Sequence, residues 1–105
     1  MFSGGDYEEV SRWLWNFVTS HAKREDLRAE AAIDCEGDRE GVSYGVRLRL
    51  GEALQPPVGQ KPFELSFPEV ARERGSLAWC SALAERVRAL ARELSRGATA
   101  PQRSA

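Results

Sequence analysis

His21 is the single histidine of the chain, and no other side chain has an ordinary pKa near neutrality. Glu25 and Asp26 follow it closely, and a carboxylate beside a histidine could orient a general base. No nucleophile is placed for such a base to activate, and a histidine near a helix end is explained more simply by the helix dipole. We therefore expect no catalytic residues, no cofactor and no enzyme activity.

Four carboxylates stand at every second position around a glycine-containing turn: Asp34, Glu36, Asp38 and Glu40. Calcium requires oxygen ligands gathered by a tight loop, so a weak cation site is conceivable here. The spacing lacks the glycine and the terminal acid of the full calcium-loop pattern. A solvated hairpin tip explains the segment better, and we predict no metal site.

Arginines recur every four residues on the outer face of the last predicted helix, at Arg88, Arg92 and Arg96, with Arg72 and Arg74 upstream. Such a ridge could bind phosphates or an acidic partner. The alternative is a solvated face, because Glu85 relieves Arg88 and cations suit a helix C-terminus. The net charge of -1 gives little support to a polyanionic partner, so charge disfavours nucleic acid.

Trp15 flanks the apolar stripe of the first predicted helix and points mostly away from the core. Exposed tryptophan is typical of interfaces. The alternatives are an indole folded over the sheet edge or over Phe2. The last predicted strand adds a second candidate contact at Phe63 and Glu64, because that edge is only partly protected. These residues predict a weak to moderate homodimer in which Trp15 participates.

Alternation of apolar and polar residues predicts half-buried strands at residues 27–36 and 42–50. The intervening glycines suit a hairpin loop, and Glu30 should then lie opposite Arg47 or Arg49. A third, short strand is predicted at 63–67, after a long loop at 51–60. The residues assigned to the buried face of the first two strands are Leu27, Ala29, Ala31, Ile33, Cys35, Val42, Tyr44, Val46, Leu48 and Leu50.

Helical spacing predicts a first helix at residues 7–21, capped by Asp6, and a last helix that begins after Ser76 and ends at Gly97. A short helical turn at 68–74 precedes it. Both amphipathic helices must bury a stripe, and the predicted sheet is apolar on one side only. The sequence therefore predicts an α+β two-layer sandwich of order α-β-β-β-α, with a three-stranded antiparallel meander and both helices on one face.

The length of 105 residues suits one domain, which we assign to residues 1–97 with a flexible tail at 98–105. With 42% hydrophobic and 30% charged residues, the chain has the composition of a globular protein. No leader-like segment and no membrane-length apolar run is present, so we expect a cytoplasmic protein. Cys35 and Cys80 fall on predicted core faces, where we expect buried, reduced thiols rather than a disulfide.

The order helix, three antiparallel strands, helix resembles the topology of the double-stranded RNA-binding domain over residues 6–95. The segment Gly75-Ser76-Leu77-Ala78-Trp79-Cys80 falls where that family begins its second helix. That family presents lysines after a Gly/Ser turn at the start of its second helix, where they contact phosphates. Here Leu77 and Ala78 occupy those positions, and the only lysines are Lys23 and Lys61. The resemblance implies the topology and makes nucleic-acid binding the second interpretation. The first is a non-enzymatic protein-interaction domain.

Overall fold

The computed structural model describes residues 6–99, and the side chains of residues 6–97. The elements in chain order are α1 (Tyr7–Ala22), β1 (Glu30–Asp34), a 3-10 turn (Gly37–Arg39), β2 (Ser43–Leu50), β3 (Ala53–Gln55), β4 (Phe63–Ser66), α2 (Phe67–Glu73) and α3 (Leu77–Thr99). This is the predicted α+β order: the short helical turn expected at 68–74 is present as α2, and the sheet has one strand more than the three expected.

All strands are antiparallel, and β2 is the centre of the sheet. β1 lies along one side of β2, with Glu30 opposite Arg49 as predicted. The other side is shared: β4 pairs with the first half of β2 and β3 with its last residues. Strand β3 lies inside the stretch predicted as a loop, because three residues are too few for an alternating pattern to show.

Both long helices pack against the same face of the sheet and against each other. The inward residues of β2, which are Tyr44, Val46, Leu48 and Leu50, are buried together with the apolar stripes of α1 and α3. The opposite face carries charged groups, among them the predicted Glu30–Arg49 ion pair. The alternation of β2 therefore reports the two-layer architecture correctly.

The helix starts are those predicted. The carboxylate of Asp6 accepts a hydrogen bond from the Glu9 amide at 2.8 Å, and the Ser76 hydroxyl accepts one from the Trp79 amide at 3.2 Å. The predicted end of the last helix was wrong, because α3 continues through Gly97 to Thr99. Residues 100–105 of the predicted tail lie outside the described residues.

Two residues assigned to the buried face are exposed. Leu27 is 80% exposed because the chain is still turning there: the Asp26 carboxylate accepts from the Arg28 amide, and β1 starts only at Glu30. Val42 is 58% exposed and precedes β2, directly after Gly41 with its φ of 76°. Apolar residues beside a strand can continue its alternation without belonging to it.

Candidate interaction surface

A cleft of about 430 Å³ separates the first half of α1 from the segment that follows β1. Its walls combine an aromatic pair, two carboxylates, a thiol, a hydroxyl and a guanidinium, contributed by Tyr7, Glu8, Ser11, Arg12, Trp15, Cys35 and Glu40. Trp15 is 40% exposed, which is high for an indole. The cleft thus joins a large apolar surface to several polar groups, as binding sites do.

Helix α1 runs alongside the outer edge of β1. The Ala31 amide donates to the buried Thr19 hydroxyl at 2.9 Å, and the Ala31 carbonyl accepts from Trp15 Nε1 at 3.1 Å. One helical turn earlier, Ser11 Oγ lies 3.4 Å from Cys35 Sγ. Helix α1 therefore contacts this edge at Ala31 and at Cys35, and its hydrogen bonds skip Ile33 between them.

The backbone of Ile33 forms the open part of this edge. The amide and carbonyl of Ala31 bond to side chains of α1 and so point away from β2. Backbone direction repeats every second residue of an antiparallel strand, so the amide and carbonyl of Ile33 also point away from β2. Trp15 and Thr19 cover Ala31. Within the described residues nothing bonds to the outward amide and carbonyl of Ile33, which lie between Trp15 and the contact of Ser11 with Cys35.

The residues that line the cleft carry more negative than positive charge. Glu8 and Glu40 line it, and Arg12 is the sole cation among the lining residues. Burial raises the pKa of the Tyr7 hydroxyl above its ordinary value, with Cys35, Glu40 and Asp34 adding to the effect. The Tyr7 hydroxyl donates to the Ser43 carbonyl, which fixes its position at the end of the cleft.

Arg39, the cation beside Glu40 in the sequence, points away from the cleft. Arg39 crosses to the outer face of the sheet, where its guanidinium donates to Asp34 and Glu64 at 3.0 Å. It lies over Gly45 there. The carboxylate of Glu40 is therefore not neutralised by its neighbour in sequence, and the cleft keeps its acidic rim.

The indole of Trp15 is folded over the sheet edge, one of the predicted alternatives, and keeps a large exposed surface. Phe2, the other alternative, lies outside the described residues. The other two predicted contact residues lie on the opposite edge of the sheet, in β4. Phe63 is buried under the Arg86 guanidinium, 3.8 Å from its ring centroid, and Glu64 is engaged by Arg39 and Ser43. The structure does not bring them together with Trp15.

The predicted arginine ridge is engaged in ion pairs. Arg88 and Arg92 both donate to Glu25, at 2.8 and 3.1 Å, and the hydrogen bond from Arg88 is the main cause of the lowered pKa of Glu25. The ridge thereby fastens the turn between α1 and β1 onto α3. Of its other members, Arg96 pairs with Glu93, Arg72 pairs with Glu73, and Arg74 is also engaged.

The remaining candidates for chemistry are dispersed. The ring of His21 contacts that of Phe17 at an interplanar angle of 49°, with centroids 4.5 Å apart. Burial lowers the pKa of His21, and Arg24 and Arg88 add to the effect. Within residues 6–97 no group of three or more histidine, cysteine or acidic side chains could hold a metal ion. Cys35 and Cys80 are free thiols, but half-buried rather than fully buried as predicted.

Comparison with known proteins gives no relative: no family model, no curated protein and no solved structure matches the chain. Of the helices in the described part of the chain, none is long and apolar enough to cross a membrane.

The sequence pattern alone does not indicate Tyr7, Ser11 and Glu40 as neighbours of Trp15. For Tyr7 and Ser11 the available signal is helical spacing, because Tyr7, Ser11 and Trp15 are four residues apart on α1. No pattern indicates Glu40, which follows the 3-10 turn.

Proposed function

We propose that this chain is a non-enzymatic protein-interaction domain, and that it binds an extended segment of its partner at Ile33 of β1 and in the adjoining cleft. The observation that carries the proposal is the position of Ile33, whose outward amide and carbonyl open beside the half-exposed indole of Trp15. A sheet edge with open backbone groups recruits further strands. Backbone pairing and a neighbouring apolar anchor are the two ingredients of peptide recognition by strand addition.

The alternative of catalysis lacks a paired nucleophile and base. The thiol of Cys35 lies next to the hydroxyl of Ser11, which does not deprotonate it. His21 is engaged with Phe17 on a later turn of α1.

A cytoplasmic location is part of the proposal, because a reducing compartment favours free thiols such as Cys35 and Cys80.

The alternative of nucleic-acid binding is supported less by the structure than by the sequence. Glu25 occupies Arg88 and Arg92, the two best placed arginines of the ridge. Leu77 and Ala78 are exposed at the start of α3, where the double-stranded RNA-binding family presents lysines. Phosphates would meet an apolar helix start there, with little charge to attract them.

A homodimer is the simplest form of such an interaction, and the association predicted from the sequence stays a prediction. Pairing two copies through β1 would bring their clefts together, so that Glu8 and Glu40 of each copy face those of the other. Like charges at such an interface are unfavourable. We therefore favour a different protein as the partner, and sedimentation at several concentrations decides between the two.

The test of the proposal is a selection of short random peptides displayed on phage against the immobilised domain. Ile33→Pro removes the outward amide and leaves the ladder hydrogen bonds intact. An edge strand tolerates proline at such a position. Trp15→Ala removes the anchor and should weaken binding by about 2 kcal/mol, roughly thirtyfold. Leu77→Ala is the matched control, since Leu77 is also apolar and is 83% exposed at the start of α3.

Peptides that bind wild type and Leu77→Ala, and lose affinity for both Ile33→Pro and Trp15→Ala, support the proposal. Circular dichroism of each variant establishes that it is folded. A selection that enriches no peptide, or peptides that bind the two edge variants as tightly as wild type, contradicts it.

A further inference from the structure

We infer that the segment bound at this edge is basic: an extended stretch of a partner protein that carries lysine or arginine together with apolar residues. The inference rests on the proposed function and adds the chemical class of the partner. It follows from what lies on each side of the open backbone groups of Ile33.

An added strand would place alternate side chains on the two faces of the sheet. Those on the helix side would enter the cleft, where the exposed indole of Trp15 and the ring of Tyr7 offer apolar contact. Those near the mouth of the cleft would meet Glu8 and Glu40, whose side chains are exposed. A bound segment that carries both apolar and cationic side chains can therefore satisfy both kinds of surface.

The carboxylates at the mouth are available for such cations. Among the described residues, Glu8 and Glu40 form no ion pair, in contrast to Asp34 and Glu64, which share Arg39 on the far face. The negative charge near the cleft also contributes to the raised pKa of Tyr7. Arg12, which is exposed, opposes the carboxylates of Glu8 and Glu40 with a single positive charge.

The test uses the same peptide selection and two charge reversals on consecutive residues of α1. Glu8→Lys reverses the charge of a side chain that lines the cleft. Glu9→Lys makes the same charge reversal in the same first turn of α1, on a side chain that does not line the cleft. The titrations use the most enriched synthetic peptide carrying a fluorescent label, with anisotropy as the readout.

We expect the enriched peptides to carry lysine or arginine and to bind Glu8→Lys about fivefold more weakly than Glu9→Lys. Their affinity for wild type should fall as salt is raised, because the carboxylates remain exposed. Both reversals should have similar thermal stability, since they remove equivalent charges from the first turn.

The other outcomes overturn the inference, and they separate it from the proposed function. If the enriched peptides are acidic or neutral, or bind Glu8→Lys and Glu9→Lys equally, the partner is not basic. The proposed function would then stand without the inference. A domain that sediments as a dimer and loses this state on Ile33→Pro has a second copy as its occupant. A selection without enriched peptides removes the proposed function as well.

Discussion

The guanidinium of Arg39 lies against the backbone of Gly45, so closely that a Cβ at Gly45 would come 2.6 Å from Nε. From this position it donates to Asp34 at the end of β1 and to Glu64 in β4. One side chain thus joins β1 and β4 across the outer face of β2, and the missing side chain of Gly45 makes the crossing possible.

Gly45→Ala should therefore lower the free energy of unfolding by about 1 kcal/mol, because Arg39 must leave its two carboxylates. In an Arg39→Ala background the same substitution should be neutral or stabilising, since alanine reduces the freedom of the unfolded chain. Urea denaturation of the four proteins of this cycle measures the coupling. Additive effects of the two substitutions would contradict the clamp.

Thr19→Val should destabilise the fold by about 1 to 3 kcal/mol, because it leaves the buried amide of Ala31 without its acceptor. Valine keeps the shape of threonine, so the loss reports the hydrogen bond rather than a cavity. Ser20→Ala is the control, because Ser20 is exposed on the same helix. Equal stability of Thr19→Val and wild type in thermal unfolding would show that the contact of α1 with the β1 edge is dispensable.

Acid should unfold the domain partly through Asp26. Hydrogen bonds from the Arg28 side chain and amide, and from the Ser95 hydroxyl, hold the pKa of Asp26 well below its ordinary 3.8. A carboxyl whose pKa is depressed by folding stabilises the native state above its unfolded-state pKa and loses that contribution as the pH falls toward its folded-state pKa. Stability should consequently decline below about pH 4, while neutral solution retains the full contribution.

Asp26→Asn should be less stable than wild type at neutral pH and should lose less stability on acidification, so that the two proteins converge at low pH. Asp38→Asn is the matched control, since Asp38 is exposed in the 3-10 turn and has no ion pair within the described residues. Urea denaturation across the acid range measures this. Parallel profiles for Asp26→Asn and wild type would exclude Asp26 as the acid-sensitive group.

The buried face of β2 and the two helix caps could be predicted from the sequence. The alternation of β2 is long enough to predict its buried face correctly, and Asp6 and Ser76 cap their helices as predicted. The alternation across 27–36 extends beyond the strand, because Leu27 follows the turn at Asp26. The spacing of apolar residues indicates which residues are buried. A hydrogen-bonded turn can nevertheless end a strand while the apolar alternation continues in the sequence.

The candidate site could be predicted only in part. Trp15 was singled out as an apolar residue off the helix stripe, and it does lie at the cleft. The open backbone of Ile33 depends on the register of β1 against β2 and on which outward groups α1 covers. Thr19 and Ala31 meet through a single hydrogen bond, which no periodicity indicates.

Glu25→Gln should increase the affinity of the domain for double-stranded DNA at low salt, because it releases Arg88 and Arg92 from their carboxylate. Near physiological salt we expect negligible binding by both proteins, measured by anisotropy of a labelled duplex. A wild-type complex tighter than about 1 μM there, lost on Arg88→Glu and Arg92→Glu, would favour nucleic-acid binding over the proposed function.

Hydrogen exchange at the amide of Ile33 tests the proposed edge most directly. In the free domain this amide should exchange rapidly, whereas the amides of Ala32, within the ladder, and Ala31, on Thr19, should be protected. Saturation with a selected peptide should slow exchange at Ile33 and leave the other two unchanged. An Ile33 amide that is already protected in the free domain, or that exchanges equally fast with the peptide bound, would contradict strand addition at β1.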